Sequence, residues 1–331
     1  MRETENEPKI HEEAVVLSPM EFLVDFKDSI KQARERVLVQ AMTFEADHVN
    51  LLIANALLEA SARGVPVFIK VDGFVRIMTA DTPNYLINLV KKDGGWSKHL
   101  RSENERMLES FVSAGIDFEM TNEPKLVDKL LMARGRNHRK IFLVDDVLYM
   151  GGLNLSQKVF EREDFVIKIT DKDIVEMAAS VYKNTKQSKS STTLPCGSDT
   201  EYLIEGGGMN SLIIAKAVIL IDRARRRVEF MTSLAPTGEI RRALLRAVDR
   251  GVTVRTFSSW AQCRTPFESY TPNRGSAHAK LLVADQWAIF GSHNFDWRLA
   301  VLKTEEMSIM TSRTHIVDPL RKYFEKTISE T

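Results

Sequence analysis

The feature that most constrains this chain is an eighteen-residue pattern that occurs twice, at residues 137–154 and at residues 277–294. The first copy reads NHRKIFLVDDVLYMGGLN and the second reads AHAKLLVADQWAIFGSHN. In both, histidine is followed after two residues by lysine, after five more by aspartate, after six more by glycine and after three more by asparagine. One such match is a weak signal, but two with the same downstream residues exclude coincidence. We therefore expect a duplicated unit.

Shorter repeats precede each copy. The pattern A-x-x-R-V occurs at Ala33 and at Ala224, and ALLEASARGVPVFI from Ala56 matches ALLRAVDRGVTVRT from Ala243. Each half shows a helix, an apolar strand, a helix, a glycine turn and a second strand, which predicts an α/β fold with two mixed, mostly parallel sheets flanked by helices. The expected divisions are a disordered tail (1–15), a first half (16–185), a polar linker (186–200) and a second half (201–331). The first half carries a long insert from about residue 74 to residue 137.

Composition excludes several protein classes. The net charge of +1 provides no global attraction to nucleic acid or anionic lipid, so local charge must bind any anionic substrate. No stretch approaches the ~18 apolar residues of a membrane span, and the charged N-terminal segment lacks the apolar core of a secretory signal. Cys196 and Cys263 lie in polar sequence, which argues against a disulfide framework. We expect a cytoplasmic protein, in contact with a membrane surface at most; the oligomeric state is left open.

The spacing of the motif has a physical reason. IFLV and LLVA are typical of buried strands, in which residues two apart point to the same face, so His138 and Lys140 project together, as do His278 and Lys280. The next apolar run in each copy predicts a returning strand that ends in a tight turn. That turn is expected to present an asparagine beside the histidines. The turn residues are Gly151 and Gly152 before Asn154, and Gly291 and Ser292 before Asn294.

If the halves face each other about a pseudo-twofold axis, the motif residues form one phosphodiester site. The two lysines and two asparagines, with the histidines, would bind the non-bridging oxygens and stabilise a five-coordinate phosphorus. One histidine would attack phosphorus while the other protonates the leaving alkoxide. No metal or other cofactor is expected, because each histidine has a lysine where a second metal ligand would be needed.

Acidic residues have two predicted roles. Asp145 and Asp285 follow the first strand of each motif in turn-like sequence, so they are expected to anchor structure. Catalytic histidines generally need a carboxylate that fixes their tautomer. Asp164 and Glu305, each just before an apolar strand, are the candidates, with Glu306 as the alternative to Glu305. The competing interpretation is that these acids are solvated charges where a strand begins.

The two motifs, the Asp296-x-Arg298 that follows the second, and the RGV segments resemble the phospholipase D superfamily, and within it the cardiolipin synthase branch, over residues 20–315. The resemblance implies a bilobal fold with the active site between the halves and transfer through a phosphohistidine. It implies that His138 is the nucleophile and His278 the general acid and base. It also implies that each supporting acid comes from the opposite half, which pairs Glu305 with His138 and Asp164 with His278.

The resemblance leaves the substrate open. Arg162-Glu163-Asp164 and Lys303-Thr304-Glu305 depart from the branch's usual tripeptides, and the N-terminal membrane helices usual in the branch do not occur in this sequence. The leading hypothesis is a phosphatidyltransferase of cardiolipin synthase type, or phospholipase D activity on phospholipids. The alternative is a soluble phosphodiesterase or nuclease of the same superfamily, for which basic stretches such as RARRR from Arg223 speak. A binding module with a degenerate site is disfavoured, because both halves keep histidine, lysine and asparagine.

Overall fold

The computed structural model describes residues 13–76, 78–79, 82–83, 94–123, 135–184, 190–208, 210–260, 265–298 and 302–331. The strands of the first half are β1 (Ala14–Leu17), β2 (Val37–Ala41), β3 (Val67–Asp72), β4 (Met78–Thr79), β5 (Thr82–Pro83), β6 (Asp117–Thr121), β7 (Ile141–Val144), β8 (Val147–Gly151) and β9 (Val166–Ile169). Its helices are α1 (Pro19–Gln32), α2 (Asn50–Ala62), α3 (Gly94–Ser113), α4 (Gln157–Phe160) and α5 (Lys172–Asn184).

The second half repeats this plan. Its strands are β10 (Thr192–Pro195), β11 (Thr200–Gly206), β12 (Arg227–Met231), β13 (Thr253–Phe257), β14 (Glu268–Tyr270), β15 (Leu281–Ala284), β16 (Trp287–Gly291) and β17 (Glu305–Thr311). Its helices are α6 (Leu212–Arg223), α7 (Gly238–Asp249) and α8 (Thr314–Ser329). The predicted α/β duplication is confirmed.

Each half contains one mixed sheet. The strand order is β1-β9-β8-β7-β2-β3-β6 in the first and β10-β11-β17-β16-β15-β12-β13-β14 in the second. Parallel pairing is confined to β2-β3-β6 and β12-β13-β14, and the remaining pairs are antiparallel. The expectation of mostly parallel pairing is corrected in this respect. The physical reason is that each motif is a hairpin: a two-residue turn between β7 and β8, or between β15 and β16, only permits antiparallel strands.

The repeated R-G-V segments make equivalent contacts in both halves. The arginine of each R-G-V caps the helix before it, and its guanidinium donates to a carbonyl oxygen near the end of the neighbouring helix: Arg63 Nη2 to Ile30 O at 2.9 Å and Arg250 Nη2 to Ile221 O at 2.7 Å. The glycine that follows has φ of +85° or +81°, a conformation that favours glycine, so the chain turns back into a strand.

The inner faces of the two sheets share one apolar core. It contains Leu143 and Met150 of the first sheet together with Leu281 and Phe290 of the second. Separate cores lie under the helices on the outer face of each sheet. Because the sheets pack face to face, the motif hairpins of both halves lie at the interface between them.

Two boundaries differ from the predicted ones. Strand β1 begins at Ala14, so the end of the predicted tail is ordered, while residues 1–12 lie outside the described residues. The predicted linker contains strand β10, which pairs with β11. Much of the insert at 74–137, and Cys263, also lie outside the described residues, whereas Cys196 is a buried free thiol. Among the helices that are described, none combines the length and apolar character that a bilayer crossing requires.

Candidate active site

The two motif histidines lie where the halves meet. Each histidine lies three residues before the first strand of its motif, β7 or β15. A backbone hydrogen bond to the opposite half holds each one: His138 N donates to Glu305 O and His278 N donates to Glu163 O, both at 2.8 Å. Each of these residues is 9% exposed. Matching bonds to both halves give the site the pseudo-twofold symmetry that the repeated sequence predicts.

The carboxylate beside His138 belongs to Glu306. The Nδ1 of His138 lies 3.0 Å from Glu306 Oε2, and Glu306 is fully buried and also accepts a hydrogen bond from Ser292 Oγ. The expected pairing of His138 with Glu305 is therefore corrected. Neighbouring residues of strand β17 point to opposite faces of the sheet. The backbone of Glu305 contacts the first half, but its side chain points to Arg139, whose Nη1 lies 3.3 Å from Glu305 Oε2.

The carboxylate beside His278 is Asp164, which comes from the opposite half. Asp164 Oδ2 lies 2.7 Å from His278 Nδ1, and Asp164 also accepts from Phe165 N at 2.9 Å. Lys280 Nζ is 3.1 Å from the same Nδ1. Because an ionised carboxylate only accepts, we assign the proton to Nδ1, which donates it to Asp164, and the Nε2 lone pair is directed away from the carboxylate.

Both lysines are almost completely buried beside the histidines. Lys140 Nζ donates to His138 O at 2.7 Å, and Lys280 Nζ donates to His278 O. Lys280 crosses to the first half, where a Cβ added to Gly152 would lie 2.6 Å from Lys280 Cδ. This explains why the first motif has glycine at a position where the second has Ser292: the space is occupied by the lysine of the other half.

The asparagines follow the turns as predicted by the motif. Asn294 Oδ1 accepts from Ser233 Oγ at 3.0 Å, and its backbone oxygen accepts from Thr232 Oγ1 at 2.8 Å. The carbonyl side of the amide is therefore engaged, and the NH₂ group remains as the donor for an anion. Asn154 is 6% exposed, and no described residue hydrogen-bonds its buried Oδ1.

The motif aspartates lie at the far ends of their strands from the histidines. Asp145 accepts from the backbone N–H groups of residues 34, 35 and 36, and Asp285 from those of residues 225, 226 and 227. These are the A-x-x-R-V segments, so each aspartate joins its hairpin to the turn that leads into the neighbouring strand. Both have φ near +50°, as turn residues often do.

Burial and charge set the protonation states of the site. Burial lowers the pKa of His138, and burial together with Lys280 lowers the pKa of His278 to about 4. Burial also lowers the pKa of Lys140 to about 7. Burial would raise the pKa of Glu306, but its contact and hydrogen bond with His138 and the nearby Lys140 outweigh burial and lower that pKa to about 2. Near neutral pH the substrate-free site thus has neutral imidazoles, each beside an ionised carboxylate.

Two buried polar side chains beside this core were not assigned a role from the sequence. Arg139, in the middle of the first H-x-K, is 1% exposed and donates through Nη2 to Glu205 O at 2.8 Å, which ties the first motif to the second half. His293 is fully buried, and its Nδ1 accepts from Phe295 N at 2.8 Å, so it supports the turn before Asn294. The alternation of residues along a strand predicts Arg139 on the face away from its motif neighbours but cannot show that the other half covers it.

Comparison with known proteins places the chain in a family. The model of the cardiolipin synthase PLD-like domain matches residues 26–185 and 256–328. The minor cardiolipin synthase ClsB of Bacillus subtilis is 23% identical over 243 residues, which are 62% of this chain and 59% of that protein. Cardiolipin synthase B of Salmonella typhimurium is 20% identical over 326 residues, covering 87% of this chain and 73% of the relative.

The fold is also that of a solved structure. The crystal structure of phosphatidylserine synthase from Haemophilus influenzae superposes with a TM-score of 0.69 at 13% identity, covering 95% of this chain and 86% of that one. The chain thus spans about three fifths of the Bacillus relative and most of the other two proteins. Since the family model matches well over half of the residues, this protein belongs to the family of cardiolipin synthase PLD-like domains within the phospholipase D superfamily.

Proposed function

We propose that this protein transfers a phosphatidyl group from one phospholipid alcohol to another through a phosphohistidine, forming cardiolipin and glycerol from two molecules of phosphatidylglycerol. The observation that carries the proposal is the pair of imidazoles, each fixed at Nδ1 by a buried carboxylate from the opposite half. A carboxylate on Nδ1 keeps the Nε2 lone pair available for attack or proton transfer. The names of the cardiolipin synthase relatives support a phospholipid as substrate.

In the first step, Nε2 of His138 attacks phosphorus and the bond from phosphorus to the glycerol headgroup oxygen breaks. The departing oxygen takes a proton from Nε2 of His278. Although the free site lowers the pKa of His278, a bound phosphodiester anion raises it again, so His278 gains its proton as the substrate binds. Lys140, Lys280, Asn154 and Asn294 donate to the non-bridging oxygens and stabilise the added charge.

In the second step, a hydroxyl of another phosphatidylglycerol attacks the phosphohistidine. Its proton passes to Nε2 of His278, the nitrogen-phosphorus bond breaks, and His138 is released as the neutral imidazole. Each atom and proton taken in the first step is returned in the second. The reaction needs only the residues of the two motifs and their carboxylates, so EDTA is not expected to inhibit it.

The test is lipid turnover by purified protein. Phosphatidylglycerol vesicles incubated with the protein in EDTA should yield cardiolipin, detected by mass spectrometry, and both His138→Asn and His278→Asn should abolish the product. His99→Asn is the matched control, because that side chain is 73% exposed on helix α3 and lies 3.9 Å from Glu103 of the same helix. No turnover of any phospholipid would refute the proposal; metal-independent cleavage of single-stranded DNA in its place would assign the same chemistry to a nuclease.

The roles of the two histidines have a separate test. With radiolabelled phosphatidylglycerol, His278→Asn protein should accumulate an acid-labile, base-stable phosphoryl adduct, because attack by His138 no longer leads to rapid release. His138→Asn protein should accumulate none. The reverse pattern would exchange the two roles.

A further inference from the structure

Large apolar side chains are exposed around the mouth of the proposed site. Of the nine that are exposed in the described part of the chain, five lie shortly after the ends of strands β2, β12, β13 and β16. We call them the apolar rim: Leu51, Leu52, Leu234, Trp260 and Trp297. The other four lie on α1, α3 and α6, away from these loops. Single exposed apolar residues need no explanation, but a concentration around one opening does.

Three rim residues are linked to the site by short contacts. Ser233 donates through Oγ to Asn294 Oδ1 at 3.0 Å, and Leu234 is the next residue. Ser259 N donates to Ser233 O at 3.4 Å, and Ser259 Oγ donates to Ala277 O at 3.2 Å, directly before His278; Trp260 follows Ser259. The backbone that carries Leu234 and Trp260 is therefore built into the site.

The third of these, Trp297, lies three residues after Asn294. Its ring packs over the start of helix α7, where a Cβ added to Gly238 would be 3.2 Å from Trp297 Cδ1. Trp260 is 65% exposed and Trp297 is 53% exposed. Two large rings are thus exposed to water on segments whose backbone lies close to the site.

The opposite side of the mouth is built in the corresponding way. Asp47 accepts from Gln157 N at 2.8 Å, which joins the loop after β2 to the segment that follows Asn154. Leu51 and Leu52 lie in the first turn of helix α2, directly after this loop. Helices α2 and α7 carry the matching repeated segments and are therefore equivalent in the two halves. Both halves thus contribute apolar residues to the rim.

We propose that the apolar rim is a membrane-docking surface that seats the cleft on a phospholipid bilayer, an inference that rests on the proposed function for its substrate. Tryptophan is suited to this position because its ring is apolar and its N–H remains hydrated at headgroup depth. A bilayer explains an apolar ring around a polar phosphate site: the phosphodiester of a phospholipid lies just above the acyl chains that the rim would contact.

Charges near the rim permit an anionic bilayer. Glu239 is paired with Arg242, and Asp296 with Arg298, so these carboxylates are neutralised locally. Arg241, exposed on the first turns of α7, adds a positive charge. An acidic surface would repel phosphatidylglycerol, whereas this one attracts it weakly.

The test measures flotation of the full chain with vesicles of equal parts phosphatidylglycerol and phosphatidylcholine. The Trp260→Ser/Trp297→Ser protein should bind about tenfold more weakly than the parent. Ile219→Ser is the matched control, because Ile219 is an exposed apolar residue on α6 (43% exposed) and should bind as the parent does. Circular dichroism checks that all three proteins are folded.

Each outcome separates the surface from the activity. Equal binding by the double variant and the parent would overturn the docking surface, even if lipid turnover is observed. Absence of vesicle binding by the parent would overturn it as well. If binding depends on the two tryptophans but no phospholipid is converted, the surface stands and the proposed function fails.

Discussion

The two adjacent glutamates of strand β17 provide the sharpest test of the site. Glu306 is fully buried against His138 Nδ1 at 3.0 Å, whereas the side chain of Glu305 turns to Arg139. Glu306→Gln keeps the volume but removes the charge that orients the imidazole. Glu305→Gln makes the same chemical change one residue away, so the pair separates orientation of His138 from loss of a nearby carboxylate.

The expected loss follows from the role of the carboxylate. In the Ser-His-Asp proteases, replacing the carboxylate that orients the catalytic imidazole with its amide lowers kcat by roughly 10⁴-fold, or about 5.5 kcal/mol. We expect a loss of this size for Glu306→Gln with little change in KM, because the lysines and asparagines that bind phosphate remain. For Glu305→Gln we expect a change of less than about fivefold, since its amide can still accept from Arg139.

Stability should respond to Glu306 as well. The pKa of Glu306 is lowered from 4.5 to about 2 in the folded protein, so its ionised form stabilises the fold. A carboxyl group with a lowered folded pKa stabilises the protein above its unfolded pKa, and this stabilisation is lost as pH falls from about 4.5 to 2. The difference in unfolding free energy between parent and Glu306→Gln should therefore be full at pH 7 and shrink below pH 4.5.

The assay combines kinetics and unfolding. Initial rates of phosphatidylglycerol turnover give kcat and KM for parent and both variants, and urea unfolding at several pH values gives the stability difference. The reasoning is refuted if Glu305→Gln loses activity while Glu306→Gln retains it. It is also refuted if both variants lose the same fraction of kcat and have the same KM.

Three further changes test other contacts of the site. The pKa of Lys140 near 7 predicts that kcat/KM falls above about pH 7 as the free site loses this positive charge, and Lys140→Arg should move that decline to higher pH; an unmoved decline would assign it to another group. Gly152→Ala should lower kcat, measured from steady-state rates, more than tenfold because the added methyl group displaces the lysine of the second motif. Gly208→Ala is the control and should leave kcat unchanged, since the atom nearest to its added Cβ is 3.9 Å away. Asp145→Asn should cost about 1 to 3 kcal/mol in urea unfolding because three backbone donors lose their charged acceptor, whereas Asp146→Asn, at the exposed next position, should cost less than about 0.5 kcal/mol.

The outline of the fold follows from local patterns. The hairpin of each motif is specified by two short apolar runs separated by a turn, and the R-G-V segments end a helix and begin a strand in both halves. Such features depend on neighbours in sequence, so the sequence predicts them. The extent of parallel pairing does not follow, because it depends on which strands lie side by side after the chain has crossed the sheet.

By itself, the sequence determined the duplication, the two histidine-lysine pairs and the asparagines that follow them, because fixed spacing on a strand decides which side chains share a face. Only the tertiary structure decided that Glu306, and not Glu305, lies beside His138. Two adjacent strand residues face opposite ways, and the register of β17 against β16 and the contact of Glu305 with Asn137 across the halves select which one turns inward. That choice arises from packing between segments about 170 residues apart, which no local pattern encodes.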